Sequence, residues 1–274
     1  METKEVAPGV FAALGPEGTA NAGFILGANG VLAIDTMMTP SMTRGMLAEI
    51  RKRTPQPVRL LVNTHYHGDH TFGNQFFPEA VIAAHQGVRK TMVERGEGLI
   101  AQMLRFRPEL KDELKEVRIT PPALVYPEGL VLYWDGMRVE LSHPGRAHTD
   151  GDTLVYLPEK QVLFVGDLLF TRIFPALMPE GSSRGWIRTL ARLARLPLAA
   201  VVPGHGPISG QANLQEFRRF LVRMRLEVKR CWQRGLSREE AVRQVRMEAY
   251  VSWERPERLA GAVGIVYDEL ARPG

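Results

Sequence analysis

Sulfur nucleophiles are nearly absent from this sequence: its 274 residues include one cysteine, Cys231, which excludes an intrachain disulfide and limits any metal site to a single thiolate. A metal held by this chain must rely on nitrogen and oxygen. Long apolar runs are missing as well. No stretch approaches the roughly 18 uninterrupted apolar residues of a helical membrane span, and the best N-terminal candidate, Val10–Leu14, is too short for the core of a signal peptide. The expectation is a soluble, cytoplasmic protein with no membrane partner, although a processed exported form would read the same way. Repeats, low-complexity tracts and long Pro- or Ser-rich linkers are lacking too, which favours one domain over residues 1–274. Excess charge is small: 35 Lys and Arg against 30 Asp and Glu give a formal +5, too little to declare a nucleic-acid binder. What remains, 45% hydrophobic and 24% charged residues, is the composition of a globular protein and not of a disordered, collagen-like or coiled-coil chain.

Apolar patterning sets the order of elements. Residues 10–14, 23–26 and 31–34 are short apolar runs separated by glycine-rich turns, the spacing of an antiparallel meander. Ser41 is placed to cap a helix over about 42–53, with Met42, Met46, Leu47 and Ile50 on one face. Residues 59–64 and 80–84 read as buried strands, and 86–105 as a helical region whose pattern weakens near Gly96 and Gly98. Strand signals follow at 131–134, 138–141, 153–157 and 162–165, then a helix at 186–196 and a last strand at 199–202. Apolar residues then recur at 214, 217, 221, 224, 228 and 231, steps of three and four that specify an amphipathic helix. Helices over about 237–247 and 256–270 close the chain. Two sheets with helices outside them satisfy both the hairpins and the helices that must each bury one face.

Histidine carries the functional signal. Residues 64–70 read Thr-His-Tyr-His-Gly-Asp-His, so His65, His67, Asp69 and His70 crowd the end of a strand. In an extended segment residues two apart share a side, which lets His65, His67 and Asp69 converge and aims His70 elsewhere unless the turn at Gly68 redirects it. Imidazoles with a carboxylate are the ligand chemistry of zinc, iron or manganese. So many titratable groups at a strand end cost folding energy unless something compensates their burial. Further ligand types sit where other strands end: His148, Asp167 as the end of strand 162–165, and His205, each with a glycine within three residues.

The set His65-x-His67-x-Asp69-His70, His148, Asp167 and His205 resembles, in type and order, the metallo-β-lactamase superfamily. The likeness runs from about residue 12 to 207, and Asp35 falls where the family places a carboxylate that supports the metal loop. The resemblance implies an α/β fold, a four-layer αββα sandwich of two mixed β-sheets flanked by helices. The metal-binding core would span about 12–207 and a C-terminal helical segment about 210–271. It implies that His65, His67 and His148 hold one ion, that Asp69, His70 and His205 hold a second, and that Asp167 bridges them. The cofactors would be two divalent ions, zinc first, with iron or manganese as alternatives. The implied activity is a binuclear metal-dependent hydrolase in which a metal-bound hydroxide attacks an ester, thioester, lactone or related bond of a small molecule. Asp69 would orient the nucleophile and carry its proton. The segments 145–152, 165–170 and 203–207 look most like the quinoprotein-relay-type zinc metallohydrolases, with the glyoxalase II-like branch beside them. Asp167 stands where efficient β-lactamases of the family generally have Cys or Ser, which leaves weak lactam hydrolysis as an alternative. A mononuclear-iron enzyme like the persulfide dioxygenases and a nuclease or phosphodiesterase are the others.

Several residues invite a plainer reading. His85, a candidate support behind the site, and His143 are expected to be hydrogen-bonded structural residues. Asp150 and Asp152 are expected to organise the turn after His148, and Tyr66 to pack beneath the metal loop. Substrate contacts are sought in the turn 15–21, in 96–108 with Met103 and Phe106, and in 169–186 with Phe170, Phe174, Leu177, Met178 and Trp186, residues that could equally be core. Residues 211–234 carry seven basic and two acidic side chains, so this helix equals the whole formal charge. That is commonly a solvated face, and nucleic acid is not an expected partner. Metal loading would concentrate positive charge in the cleft and suit an electron-rich or anionic small substrate. Homo-oligomerisation is left open.

Overall fold

The computed structural model describes residues 1–16 and 19–271. A seven-stranded sheet runs in chain order through β1 (Glu2–Ala7), β2 (Val10–Leu14), β3 (Ala22–Gly27), β4 (Gly30–Ile34), β5 (Val58–Val62), β6 (Val81–His85) and β7 (Leu124–Tyr126). The second sheet has five strands in the order β12 (Ala200–His205), β11 (Val162–Phe170), β10 (Leu154–Leu157), β9 (Met137–Ser142) and β8 (Gly129–Trp134). Both are mixed. The hairpins of the first sheet give way to parallel pairing from β4 to β7 once helices enter the connections, and in the second only β11 and β12 are parallel.

Side-chain alternation explains the layers. Along β2, Val10, Ala12 and Leu14 point into the core between the sheets, while Phe11 and Ala13 point outward beneath α1 (Pro40–Arg51) with Met46 and Ile50. In β11, Val162 and Phe164 face the first sheet, and Leu163 and Val165 face the opposite helices. Those helices are α6 (Ser183–Leu193), α7 (Gln211–Gln233), α8 (Arg238–Gln244) and α9 (Arg258–Ala271), packed around Trp186, Phe217, Phe220 and Trp253. On the first sheet's outer side, α3 (Gln86–Arg95), α4 (Gly98–Phe106) and α5 (Lys111–Leu114) pack with Tyr66 and Phe72 through Val88, Leu99 and Leu114. The result is the αββα sandwich. Among the described residues no helix is long and apolar enough to cross a membrane.

The six apolar positions expected to form one face of α7 are all buried. Three local expectations change. The first helix is capped by Thr39, whose hydroxyl accepts from Met42 N at 3.3 Å, with Pro40 in its first turn, so Ser41 lies inside it. The helical region 86–105 is two helices because Gly96 ends α3 at φ 46°. Asp167 lies inside β11, which continues to Phe170 through an irregularity in its pairing with β12.

Candidate metal centre

The ligand types collect at one edge of both sheets. After β5 the chain passes Asn63 and Thr64, presents His65 and His67, and turns into the short helix α2 (Gly68–Thr71) that carries Asp69 and His70. This helical turn is why His70 is not thrown outward, as an extended segment would have thrown it. His148 comes from the β9–β10 connection, Asp167 from β11 and His205 from the end of β12. Gly204 lets β12 approach: a Cβ there would stand 2.0 Å from Asp167 Oδ1. Gly166, at φ 50°, aims the next residue inward.

Two groups of donors result. His65, His67, His148 and Asp167 each place one ligand atom within 4.8 Å of all the others, and so do Asp69, His70 and His205. Asp167 reaches both groups, with Oδ2 3.4 Å from His148 Nε2 and Oδ1 3.3 Å from His205 Nε2. His67 Nδ1 lies 3.0 Å from His65 Nε2 and 3.1 Å from His148 Nε2. His67 Nδ1 holds one proton or one lone pair, so it cannot make both contacts as well-aligned hydrogen bonds. His70 Nε2 and Asp167 Oδ1 stand 3.1 Å apart, yet both are buried without an aligned hydrogen bond. Converging ligand atoms and orphaned buried polar atoms fit divalent cations.

The supports fix which nitrogen faces inward. Asp35, at φ 59°, accepts from Thr64 N and Thr64 Oγ1, both at 2.7 Å, and its Oδ2 lies 2.8 Å from His70 Nδ1. That leaves His70 Nε2 for the centre. Thr64 Oγ1 lies 3.1 Å from His65 Nδ1 and does the same there. Asp152 accepts from Thr149 N at 2.9 Å and Thr149 Oγ1 at 2.6 Å, organising the turn after His148. Burial pushes the Asp152 carboxyl up to about 7.

Charge divides the two groups. Burial holds His65 well below its ordinary range and lowers His67 to about 4 and His148 to about 3, so these imidazoles are neutral and offer lone pairs. For His70 and His205 burial also opposes charge, but Asp167 with Asp35, and Asp167 with Asp69, outweigh it; His205 rises to about 9. Asp69 and Asp167 are held below the usual carboxylate range because His205 and His70 outweigh their burial. The second group thus carries protons where a cation would sit.

Other expectations divide. His85 stands outside both groups: its Nε2 lies 2.9 Å from Pro127 O, its Nδ1 accepts from Gly87 N, and its ring stacks on His143 at 3.9 Å. Tyr66 packs beneath the loop with Phe72 and Val88. Phe170, Phe174 and Trp186 are buried in the core, and Phe170 stacks on His205 with ring centroids 5.0 Å apart. Phe106 is exposed, and Leu177 and Met178 are half-buried. In the turn 15–21, residues 17 and 18 lie outside the described residues.

Two residues escaped the sequence reading. Asn21 donates to Pro203 O at 3.0 Å and Gly206 O at 2.8 Å, tying the first sheet to the chain on both sides of His205. A lone asparagine beside a turn gives no such signal. Arg258 begins α9 with its guanidinium over Phe170, where burial lowers its pKa against the opposing charges of Asp167 and Asp69. It was hidden among 28 arginines.

The family model for the metallo-beta-lactamase superfamily matches residues 15–205. The subunit alpha of a 2,4-dinitroanisole O-demethylase from Nocardioides sp. is 30% identical over 203 residues, covering 73% of this chain and 54% of that protein. A linear primary-alkylsulfatase from Pseudomonas sp. is 24% identical over 268 residues, covering 83% of this chain and 50% of that one. The chain thus spans about half the length of these relatives. A metallo-beta-lactamase family protein from Thermus thermophilus shares the fold, with a TM-score of 0.71 at 21% identity over 97% of this chain and 94% of that one.

Proposed function

The chain belongs to the metallo-beta-lactamase superfamily, and from that premise we propose that it is a binuclear metal-dependent hydrolase acting on an ester-type bond of a small molecule. Carboxylic esters, thioesters, lactones and sulfate esters fall within the reading, the last supported by the name of the alkylsulfatase relative. The observation that carries it is the sharing of Asp167 between two buried donor groups. His65, His67 and His148 with Asp167 would hold one divalent ion, and Asp69, His70 and His205 with Asp167 the other. Bound there, the ions supply Lewis acidity toward the scissile group and bring a water to ionisation near neutral pH.

The chain's own residues do the rest. Neutral imidazoles on His65, His67 and His148 offer lone pairs, and a divalent ion held by them would be able to take a water or substrate oxygen as a further ligand. Asp35 and Thr64 keep the rings of His70 and His65 turned inward. Asp69 is the least enclosed of the carboxylates, with 19% of its side chain exposed against 4% for Asp167. It can accept a proton from the attacking water and deliver it toward the leaving group.

Metal analysis together with a panel of ester, thioester, lactone, sulfate-ester and phosphodiester substrates tests the reading. About two ions per chain and turnover restored by metal after chelation are expected. A single iron with oxygen consumption, or no turnover on any ester-type substrate, would overturn it.

A further inference from the structure

We propose that the groove between α7 and the chain that follows α8 is a binding site for a soluble small molecule carrying two or more phosphate groups. None of the metal-ligand candidates lines this groove, so the inference stands apart from the hydrolase reading.

Local structure builds both walls. α7 ends at a tight turn in which Gly235 adopts φ 73° and Leu236 N donates to Cys231 O at 3.1 Å, and α8 turns back against α7. After α8 the chain is extended at Val245, and successive residues alternate: Val245 and Met247 are buried in the helical core, while Arg246 and Glu248 are exposed. Tyr250 closes the segment against Phe220 and Trp253, with ring centroids 5.0 and 4.7 Å away. Between the walls lies a cavity of about 670 Å³, within the size range of small-molecule sites.

Charge says what would fill it. The α7 wall presents Arg219, Arg223, Arg230 and Arg234, whose spacings of four, seven and four residues put them on one side of the helix over about 22 Å. Arg246 lines the groove from the other wall. Against these five guanidiniums stand two carboxylates, Glu227 and Glu248. Glu227 is already held, with one oxygen 2.6 Å from Arg223 Nε and 3.0 Å from Arg230 Nη1. Among the described residues no carboxylate lies within 4.0 Å of Arg219, Arg234 or Arg246, and Arg246 donates to the adjacent Val245 O at 3.0 Å. Like charges crowded along one groove repel, and an anion relieves that repulsion while it fills the guanidinium donors. Separated guanidiniums call for more than one anionic group, and phosphate oxygens match their planar forks. A second copy on a two-fold axis would set the same arginines against themselves. The positive excess is confined to residues 211–234, the rest of the chain being formally neutral, which favours a compact anion over a nucleic-acid strand. Tyr250, Phe220, Phe217, Phe170 and His205 adjoin in succession, with centroids 5.0, 6.1, 6.2 and 5.0 Å apart, so three phenylalanine rings separate the groove from the metal centre.

The test is calorimetry on the zinc-loaded protein with inorganic triphosphate, ATP and AMP, the first two as magnesium complexes so that they do not strip zinc. Saturable binding of triphosphate or ATP, tighter than that of AMP and weakened by salt, is expected. Arg219→Gln, Arg234→Gln and Arg246→Gln should each weaken it about tenfold, with zinc content and circular dichroism unchanged. Lys229→Gln, which removes an exposed cation of α7 outside the groove, should match the unaltered protein. Equal affinity for triphosphate and ATP would mean that the phosphate chain alone is read, and tighter ATP that the nucleoside is read as well. No polyphosphate binding, equally tight AMP, an equal loss in Lys229→Gln, or indifference to all three arginine substitutions would each overturn the inference. Dimerisation that those substitutions abolish, without phosphate binding, would overturn it too and give the groove to a second copy. Turnover does not enter this measurement, so the hydrolase reading stands or falls separately.

Discussion

At the scale of single residues, Asp35 shapes the centre without being one of its donors, through its bonds to Thr64 and His70. It is 2% exposed, has a left-handed backbone that Asp and Asn tolerate better than most residues, and spends both oxygens on Thr64 and His70. Asp35→Asn keeps the backbone and size but turns an acceptor into a donor against the Thr64 and His70 hydrogens. Metal affinity is expected to fall about 10- to 100-fold with the fold retained, as read by zinc competition with a chromogenic chelator; unchanged affinity would mean that His70 is oriented by something else. Asp69→Ala should leave the circular dichroism spectrum intact and lower turnover at least about 100-fold, and a variant that keeps its rate would exclude Asp69 as the proton carrier. The histidines were legible because so many in so few positions have no ordinary structural role. Asn21 and Arg258 were not, because each acts through a partner distant in the chain, at Pro203 and Phe170.

Elements differ in how plainly the sequence specifies them. The α7 face was readable because each apolar position falls on the side toward the second sheet. β1 was not: Glu2–Ala7 is polar, has no fully buried residue and is held as an edge strand by main-chain pairing to β2. β7 has only three residues, too few for a period to show. The loop after β5 misled in a different way. Alternation argued for an extended run, whereas main-chain bonds from His70 N to His67 O at 3.0 Å and from Phe72 N to Gly68 O at 2.9 Å wind Gly68–Thr71 into a turn of helix that brings Asp69 and His70 to the same group. Two substitutions probe elements directly. Phe217→Ala, at the contact of α7 with Phe170 and Trp186, should cost about 3–5 kcal/mol in denaturant unfolding. Gly204→Ala should displace Asp167 or part β12 from β11, lowering zinc stoichiometry more than it lowers the unfolding midpoint; full metal content would refute that close approach.

For the molecule as a whole, the buried histidines predict how stability follows pH in the metal-free protein. His65, His67 and His148 have lowered values when folded, His67 about 4 and His148 about 3, so between these and the unfolded value near 6.5 the unfolded chain binds more protons. Stability should fall with acid through that window, by up to about 1.4 kcal/mol per pH unit for each such histidine. His70 and His205 are raised, so their contribution is present below about 6.5 and is lost as pH climbs, for His205 through about 9. Thermal melts should therefore peak near pH 6.5 without metal. Loading zinc should flatten the alkaline arm, since cations replace those protons, and an alkaline arm that persists would argue against occupation of the second group.

The donors are also split between the sheets: His65, His67, Asp69 and His70 hang from the first, His148, Asp167 and His205 from the second. An ion seated among them is a pin through a seam, with Asn21 as a clasp beside it. Withdrawing the pin requires the seam to part, so the half-life of bound metal under excess chelator should track the opening of the sandwich. Retention becomes a matter of time, set by the protein's breathing as much as by the strength of any ligand.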